Sequence, residues 1–390
     1  MTEIALAILC GLRMGKEMSD VEVQMLTKAD DYPIHQTPEP VAYAGLGRNF
    51  YDRYFFNGYH KEEDLFFALG MGIYPQLDIM DAGFSIIQSG KQRNLLSSKV
   101  MNHERLDTVV GDIQVEVVKP LEEFRIMVKS GKNDIHADLF FRARCPANEE
   151  PRFTYKIGSQ TVIDYTRLTQ SGGWSGWLEV DGRRILVDSE NWAGTRDRSW
   201  GIRPIGLPDA QKNPHAPPIS QYFWLWAPIN WSDAVSFYHR NDDALGNTWN
   251  EAAVFCQDGL SEELQLARSA SSELVFIPGT RHAKKAKISF QGPGDVTEIT
   301  MTSRFHWYMK GVGYGHPEFS HGKYHGGDAQ TSEEYDLSAI DDSKNLHIQA
   351  VCSCQMEGEL GAREGAGVLE QLILGPHAPS GLVGLGDMAK

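Results

Sequence analysis

Apolar residues recur at every second position along much of this chain, and that period limits what it can fold into. Ile113, Val115 and Val117 alternate with Gln114 and Glu116, and Phe124, Ile126 and Val128 alternate with Arg125, Met127 and Lys129. Ile135, Ala137, Leu139 and Phe141 continue the series after residues 130–134, a Ser-Gly-Lys-Asn-Asp turn that tolerates tight backbone angles. Successive side chains of a strand point to opposite faces, so each segment has one apolar and one polar face. That is the pattern of an antiparallel sheet covered on one side, or of a barrel wall.

The same period predicts hairpins elsewhere. Residues 84–87 and 95–100 flank a Ser-Gly-Lys-Gln turn, and residues 177–180 and 184–187 flank Asp181-Gly182. Ile299, Met301, Ser303, Phe305, Trp307 and Met309 fall on one face of a strand with Arg304, His306 and Tyr308 opposite, and Leu346, Ile348, Ala350, Cys352 and Cys354 line another. Helix signals are sparse. A capping box at Ser19 to Glu22 precedes Val23, Met25 and Leu26, and only residues 368–373 offer a second short helix, by an ambiguous pattern. The fold class is therefore all-β with few short helices.

A chain of 390 residues is too long for one ordinary core. We expect an N-terminal extension over 1–35 with a short helix and two β domains, 36–165 and 166–390. Apolar residues at 41% and charged residues at 23% exclude bulk disorder. The net charge of −15 repels phosphate backbones and anionic lipid, so no nucleic-acid partner is expected. No apolar run approaches the ~20 residues of a membrane span, and residues 4–10 follow Glu3 without a basic leader. These features predict a cytoplasmic protein with no transmembrane segment, and a homodimer is compatible with them. The odd count of five cysteines argues against a disulfide framework and for a reducing compartment. Cys352 and Cys354 match no common zinc or redox spacing and read as small buried hydrophobes.

One segment carries chemistry. Residues 194–204, Gly-Thr-Arg-Asp-Arg-Ser-Trp-Gly-Ile-Arg-Pro, set one acid among three arginines. In a strand Thr195, Asp197 and Ser199 share one face while Arg196, Arg198 and Trp200 share the other. Asp197 is then either an ion-pair strut or a carboxyl facing an apolar cavity, where its pKa rises and it can deliver a proton. Tyr222, Trp224 and Trp226 share a face of a later strand with Phe223 and Leu225 behind them, forming a core strand or a cavity wall. Indole faces in a desolvated cavity stabilise a carbocation by about 2 kcal/mol or more. A proline-rich loop spans 208–218, and a glycine- and histidine-rich loop spans 311–327. His316, His321, His325 and Asp328 of that region have donors that suit a metal, but metal sites hold their ligands on rigid elements. A structural or substrate-gating loop is the preferred reading, with no metal. Dinucleotide loops, phosphate loops and the Gly-x-Ser-x-Gly elbow are missing.

The hairpin over 177–187 followed by Asp197-Arg198-Ser199-Trp200-Gly201 resembles the Tyr-x-Asp-His-Asn-Trp-Gly segment of the hydroxyneurosporene synthase (carotenoid hydratase) and AttH-like superfamily, which includes kievitone hydratase and fungal Diels–Alderases. The likeness covers roughly 40–375. It is strongest to a bacterial branch with Arg-Asp-x-Ser-Trp-Gly and a later Gly-Tyr-Gly-His-Pro, here residues 313–317. The resemblance implies two calycin/lipocalin-like antiparallel β-barrels or sandwiches enclosing an apolar ligand. It also implies that Asp197 stands where the hydratases keep the acid that protonates an alkene. Thr195 replaces their tyrosine, Arg198 and Ser199 replace His-Asn, and their upstream His-x-Trp has no counterpart near Thr166 to Leu168, so only the acid position carries over.

The expectation is an enzyme, a lyase or an isomerase/cyclase, acting on a hydrophobic isoprenoid-like or polycyclic small molecule by hydration, dehydration, isomerisation or cyclisation. Asp197 is the general acid, Trp200, Tyr222, Trp224 and Trp226 shape the pocket, and Arg203 or His306 anchors the substrate. No cofactor is implied, because side chains supply protonation and cation shielding. Two other readings stand beside it: a non-catalytic lipid carrier, with Asp197 as a strut, and a pocket that orients a pericyclic reaction without acid chemistry.

Overall fold

A computed structural model describes residues 26–33, 47–131, 134–208, 219–292 and 294–390. The capping box near residue 19 lies outside them. The chain is all-β and lipocalin-like, two curled antiparallel sheets with only short 3-10 turns among the described residues. The first sheet runs in the order Ala329–Asp336, Lys91–Val100, Ile79–Gln88, Phe66–Tyr74, Phe50–His60, Trp192–Ile202, Gln160–Val180, Ile135–Ala143, Glu123–Ser130, Ile113–Lys119 and Val109–Val110. Its concave side holds a core that includes Phe56, Phe67, Phe84, Phe124, Phe141 and Trp174.

The second sheet runs Gln265–Leu266, Thr248–Gln257, Ala234–Asp242, Tyr222–Trp231, Arg363–Leu374, Ile348–Gly358, Val296–Tyr308, Ala283–Gln291 and Ser269–Phe276. Residue 165 falls within the strand Gln160–Val180, and the change of sheet comes between Ile202 and Tyr222. The turns at Ser89-Gly90 and Asp181-Gly182 both have positive φ, the twist that two-residue hairpins need.

Two strands differ from what their sequence suggests. Residues 368–373 lie in the strand Arg363–Leu374, central in its sheet with both faces buried. A strand covered on both sides is apolar throughout and loses the alternation that would mark it. In Val296–Tyr308 the register shifts between Ser303 and Phe305. That bulge turns the strand over. Ile299, Met301 and Tyr308 therefore belong to the second sheet's own core, whereas Trp307 and Met309 belong to the core between the sheets.

That inter-sheet core joins Tyr51, Phe55 and Tyr59 of the first sheet to Trp224, Trp226, Val351 and Val368 of the second. Asn57 donates to Gln349 at 3.0 Å, Tyr59 to the Ala366 carbonyl at 3.0 Å, and Asn230 to the Gly194 carbonyl at 3.2 Å. The chain also crosses between sheets: after Val296–Tyr308 it adds Ala329–Asp336 to the edge of the first sheet, then returns to the second at Ile348–Gly358. This excursion draws residues 309–327 over one end of the interface.

Gly194 permits a close approach of neighbouring strands within the first sheet. A Cβ there would overlap the Asn57 carbonyl and the Trp174 indole nitrogen, which are hydrogen-bonded to each other at 2.9 Å. Overpacking of this kind costs roughly 1–3 kcal/mol. Gly194→Ala should therefore lower the unfolding free energy by that much, read as a lower denaturant midpoint, and an unchanged midpoint would show that the three adjoining strands of the first sheet relax to admit the methyl group.

Candidate active site

The strand Trp192–Ile202 runs between Phe50–His60 and Gln160–Val180, with Asp197 opposite Phe55 on one side and Thr169 on the other. Its two faces do different work. Arg196 ion-pairs with Asp31 at 2.6 Å, donates to Gln170 at 2.8 Å and lies 4.3 Å over the Phe124 ring. Arg198 pairs with Asp52 and lies 3.8 Å over Tyr54. Both guanidinium groups are fully buried. Trp200 shares their face and packs against Phe50, Ala147 and Leu168. It does not reach the cavity, because the strand's alternation places it behind the sheet.

Asp197 points the other way, into a cavity of ≈ 400 Å³ between the sheets. That volume suits a small-molecule ligand. Tyr51, Phe55, Tyr165, Tyr222, Trp224 and Leu372 form much of the wall, and Tyr314 and His321 of the crossing loop close one end. A larger cleft of ≈ 510 Å³ elsewhere carries Arg142 and Arg144, each already paired, with Glu123 and Asp258. It offers no comparable buried acid.

Asp197 and Glu370 line the cavity, Glu150 lies behind its wall, and their environments push the three carboxyls apart. Burial raises Glu150, but Arg167 at 2.6 Å, the nearby His239 and the Thr169 hydroxyl overcome that and hold it below the usual glutamate value. Burial likewise opposes ionisation of Glu370, yet His347 at 2.8 Å and Gln349 at 2.9 Å keep it low. Asp197 has no side-chain hydrogen bond among the described residues. Burial raises its pKa from the ordinary 3.8 to about 7, Arg167 pulls against this, and the charges of Glu150 and Glu370 add to it. A carboxyl poised near neutrality beside two that stay ionised is the division of labour acid–base chemistry uses.

Arg203 supplies the polar end. Its guanidinium lies 4.1 Å over Tyr51 and reaches His321 Nδ1 at 3.0 Å and the Tyr314 hydroxyl at 3.4 Å, while Nε has no partner. His321 Nε2 sits 2.9 Å from the Val312 carbonyl, so that nitrogen carries the hydrogen and Nδ1 accepts from Arg203. Burial and the neighbouring arginines push the His321 pKa well down.

The structure thus brings Asp197, Arg203, Tyr222 and Trp224 together. Trp226 stands behind the wall, donating to Glu150 at 3.2 Å and packing edge-on to Phe55. His306 is elsewhere, because the bulge turns it toward the second sheet's core, where burial lowers its pKa to about 4. The loop histidines diverge as well. His316 binds Glu333 at 2.8 Å, His325 stacks on Phe319, and only His321 lines the cavity. Sequence reasoning missed Arg167, Glu150, Glu370 and His347. A lone acid inside the apolar run 368–373 was one available signal.

A family model matches residues 26–383, nearly the whole chain. The chain belongs to DUF8625, a family of unknown function. No curated protein is similar to this member in sequence. Its fold is similar to the crystal structure of kievitone hydratase from Nectria haematococca, with a TM-score of 0.51 and 11% identity over 82% of this chain and 88% of that one. A putative AttH protein from Nitrosomonas europaea gives a TM-score of 0.53 at 11% identity, covering 87% and 98%. At such identity the likeness is one of fold.

The raised pKa makes a prediction that needs no substrate. Folding favours the neutral carboxyl, so this contribution is fully present below about pH 4 and is lost as pH rises through about 7. Asp197→Asn stays neutral throughout. Its stability relative to wild type should grow between about pH 4 and pH 7, by up to ~1.4 kcal/mol per pH unit, and level off above that. Parallel stability curves for the two proteins would show that Asp197 titrates as an ordinary surface acid.

Proposed function

We propose that this DUF8625 member is an enzyme that protonates a small, largely apolar molecule, with Asp197 as the general acid. The observation that carries the reading is a hydrogen-bond-free carboxyl, with pKa near neutrality, opening on an aromatic-walled cavity. A proton donor works best when its pKa lies near the working pH. In hydration, the Asp197 O–H adds its proton to one alkene carbon, leaving a carbocation and the aspartate anion. Water then bonds to the cationic carbon and returns a proton to Asp197. Loss of a neighbouring C–H proton instead gives an isomer, capture by a second alkene closes a ring, and hydration run backwards is dehydration. A hydratase on a similar fold, and the acid position shared with the hydroxyneurosporene synthase segment, make hydration the first reaction to assay.

Arg167 has a stated part in this scheme. It lies 4.4 Å over the Trp224 indole and ion-pairs with Glu150, so it stabilises the aspartate formed after proton transfer. Trp224 is then more wall than cation shield, because its ring already carries that guanidinium. The developing cation falls instead to the rings of Phe55, Tyr165 and Tyr222 and to the field of ionised Glu150 and Glu370. Arg203 lines the cavity, and its guanidinium suits a substrate carbonyl or carboxylate. The substrate class is an isoprenoid-like or polycyclic skeleton with one oxygenated end.

Turnover of alkenes and tertiary alcohols of that class in deuterated water, read by mass spectrometry, tests the proposal. Asp197→Asn should lower kcat/KM by about 100- to 10,000-fold, the usual range for a positioned acid. The wild-type rate should fall as pH rises above about 7. Retained turnover in Asp197→Asn would move the site to a pericyclic role, and ligand binding that survives Asp197→Asn with no turnover in either protein would make it a carrier. Arg203→Gln should raise KM for a substrate bearing a carboxylate and leave KM unchanged for its hydrocarbon analogue. Equal effects on both would remove Arg203 from recognition.

A further inference from the structure

Away from the cavity, three side chains converge inside the second sheet: His282 just before Ala283–Gln291, His306 on Val296–Tyr308, and Asp342 in the 3-10 turn Asp342–Lys344. One donor atom from each lies within 4.8 Å of the others. None of the three lines the Asp197 cavity.

The arrangement around His282 asks for something more than the side chains supply. Its Nε2 is 3.0 Å from the Asn345 carbonyl, which can only accept, so Nε2 carries the hydrogen. Nδ1 is left with a lone pair. It is buried, makes no hydrogen bond, and lies 3.4 Å from Asp342 Oδ1, another acceptor. Tyr308 donates to the same Oδ1 at 2.6 Å and orients the carboxylate. The His306 ring stands nearly perpendicular to that of His282, at 82° with centroids 5.2 Å apart. Two acceptors facing each other beside a second imidazole are relieved by a cation between them. An imidazole whose other nitrogen is held by a carbonyl, and a carboxylate held by a phenol, are the outer contacts that metal ligands characteristically have.

We propose that His282, His306 and Asp342 bind one divalent transition-metal ion of the zinc class. Two imidazole nitrogens and one carboxylate oxygen suit zinc, cobalt or nickel rather than calcium or magnesium, which prefer oxygen ligands. Bonds of about 2.0–2.2 Å require the donors to draw together from their present spacing. Asp342 sits on a turn with exposed neighbours and His306 is half-buried, so both have room to move. The site is structural by position. Asp342 belongs to the connector that returns the chain from Ala329–Asp336 in the first sheet to Ile348–Gly358 in the second. A metal there pins that connector to the second sheet, five residues before His347 enters the cavity wall.

The test uses the full chain, stripped with a chelator and then titrated with zinc by calorimetry and with cobalt by visible absorption. We expect one ion per chain, a cobalt spectrum showing nitrogen and oxygen ligation, and a higher Tm for the loaded protein. His306→Gln and Asp342→Asn, at partly exposed positions, should each weaken zinc binding by about 100-fold or more while keeping the circular dichroism of the wild type. His316→Gln, in the separate histidine loop, should bind as wild type does. No saturable binding, or binding that both site variants leave intact, would reduce the cluster to a hydrogen-bonded His–Asp group and overturn the proposal.

Discussion

The candidate site depends on how the strand Trp192–Ile202 divides its charges. Its arginines are spent on Asp31 and Asp52 on the far side of the sheet, where both partners of each pair are buried. Such pairs add little net stability, but removing one partner strands a charge and costs about 3–5 kcal/mol. The strand is thereby held in a single register. With a period of two, that register leaves Asp197 on the opposite face with no partner of its own. A shift by one residue would exchange the acid for an arginine at the cavity.

What surrounds Asp197 then sets its chemistry. The second sheet brings Glu370 with its His347 and Gln349 partners, and the residues before Gln160–Val180 bring Glu150, which pairs with Arg167 of that strand. Each of those acids is satisfied by hydrogen bonds that favour its ionised form, so protonating either is disfavoured. Asp197, lacking such bonds, is the group that takes the proton. Three carboxyls in one region therefore behave as two fixed charges and one titrating site. The fixed charges also place negative potential beside the cavity.

Much of the architecture was legible in the chain. The alternation at residues 113–117, 124–128 and 135–141 and the Asp181-Gly182 turn locate strands that the structure contains. The facing of Asp197 against Arg196 and Arg198 follows from the same period. Two features hid the rest. Residues 368–373 are buried on both sides, so their strand carries no alternation, and Glu370 was lost inside an apolar run. The bulge in Val296–Tyr308 inserts one residue, so His306 and Trp307 exchange the faces that simple counting assigns them. Arg167 and Glu150 were invisible for another reason. Nothing local distinguishes a buried ion pair from a surface one until the two sheets meet.

The location of the cavity explains why both sheets are needed. A lipocalin-like barrel can hold its ligand in its own interior, but here each interior is filled, the first by Phe56, Phe67, Phe124 and Trp174 and the second by Ile299, Met301 and Tyr308. The space left is between the sheets, where Asp197 and Tyr165 come from one side and Trp224 and Glu370 from the other. Neither half alone would desolvate the acid. Exposed on a lone first sheet, Asp197 would lose both the burial and the Glu370 charge that raise its pKa, and would revert toward an ordinary ionised carboxylate. The crossing loop completes the enclosure with Tyr314 and His321. It can do so only because the chain visits the edge of the first sheet at Ala329–Asp336 before returning to the second. Docking of the sheets, rather than any single motif, gives a strand aspartate its raised pKa.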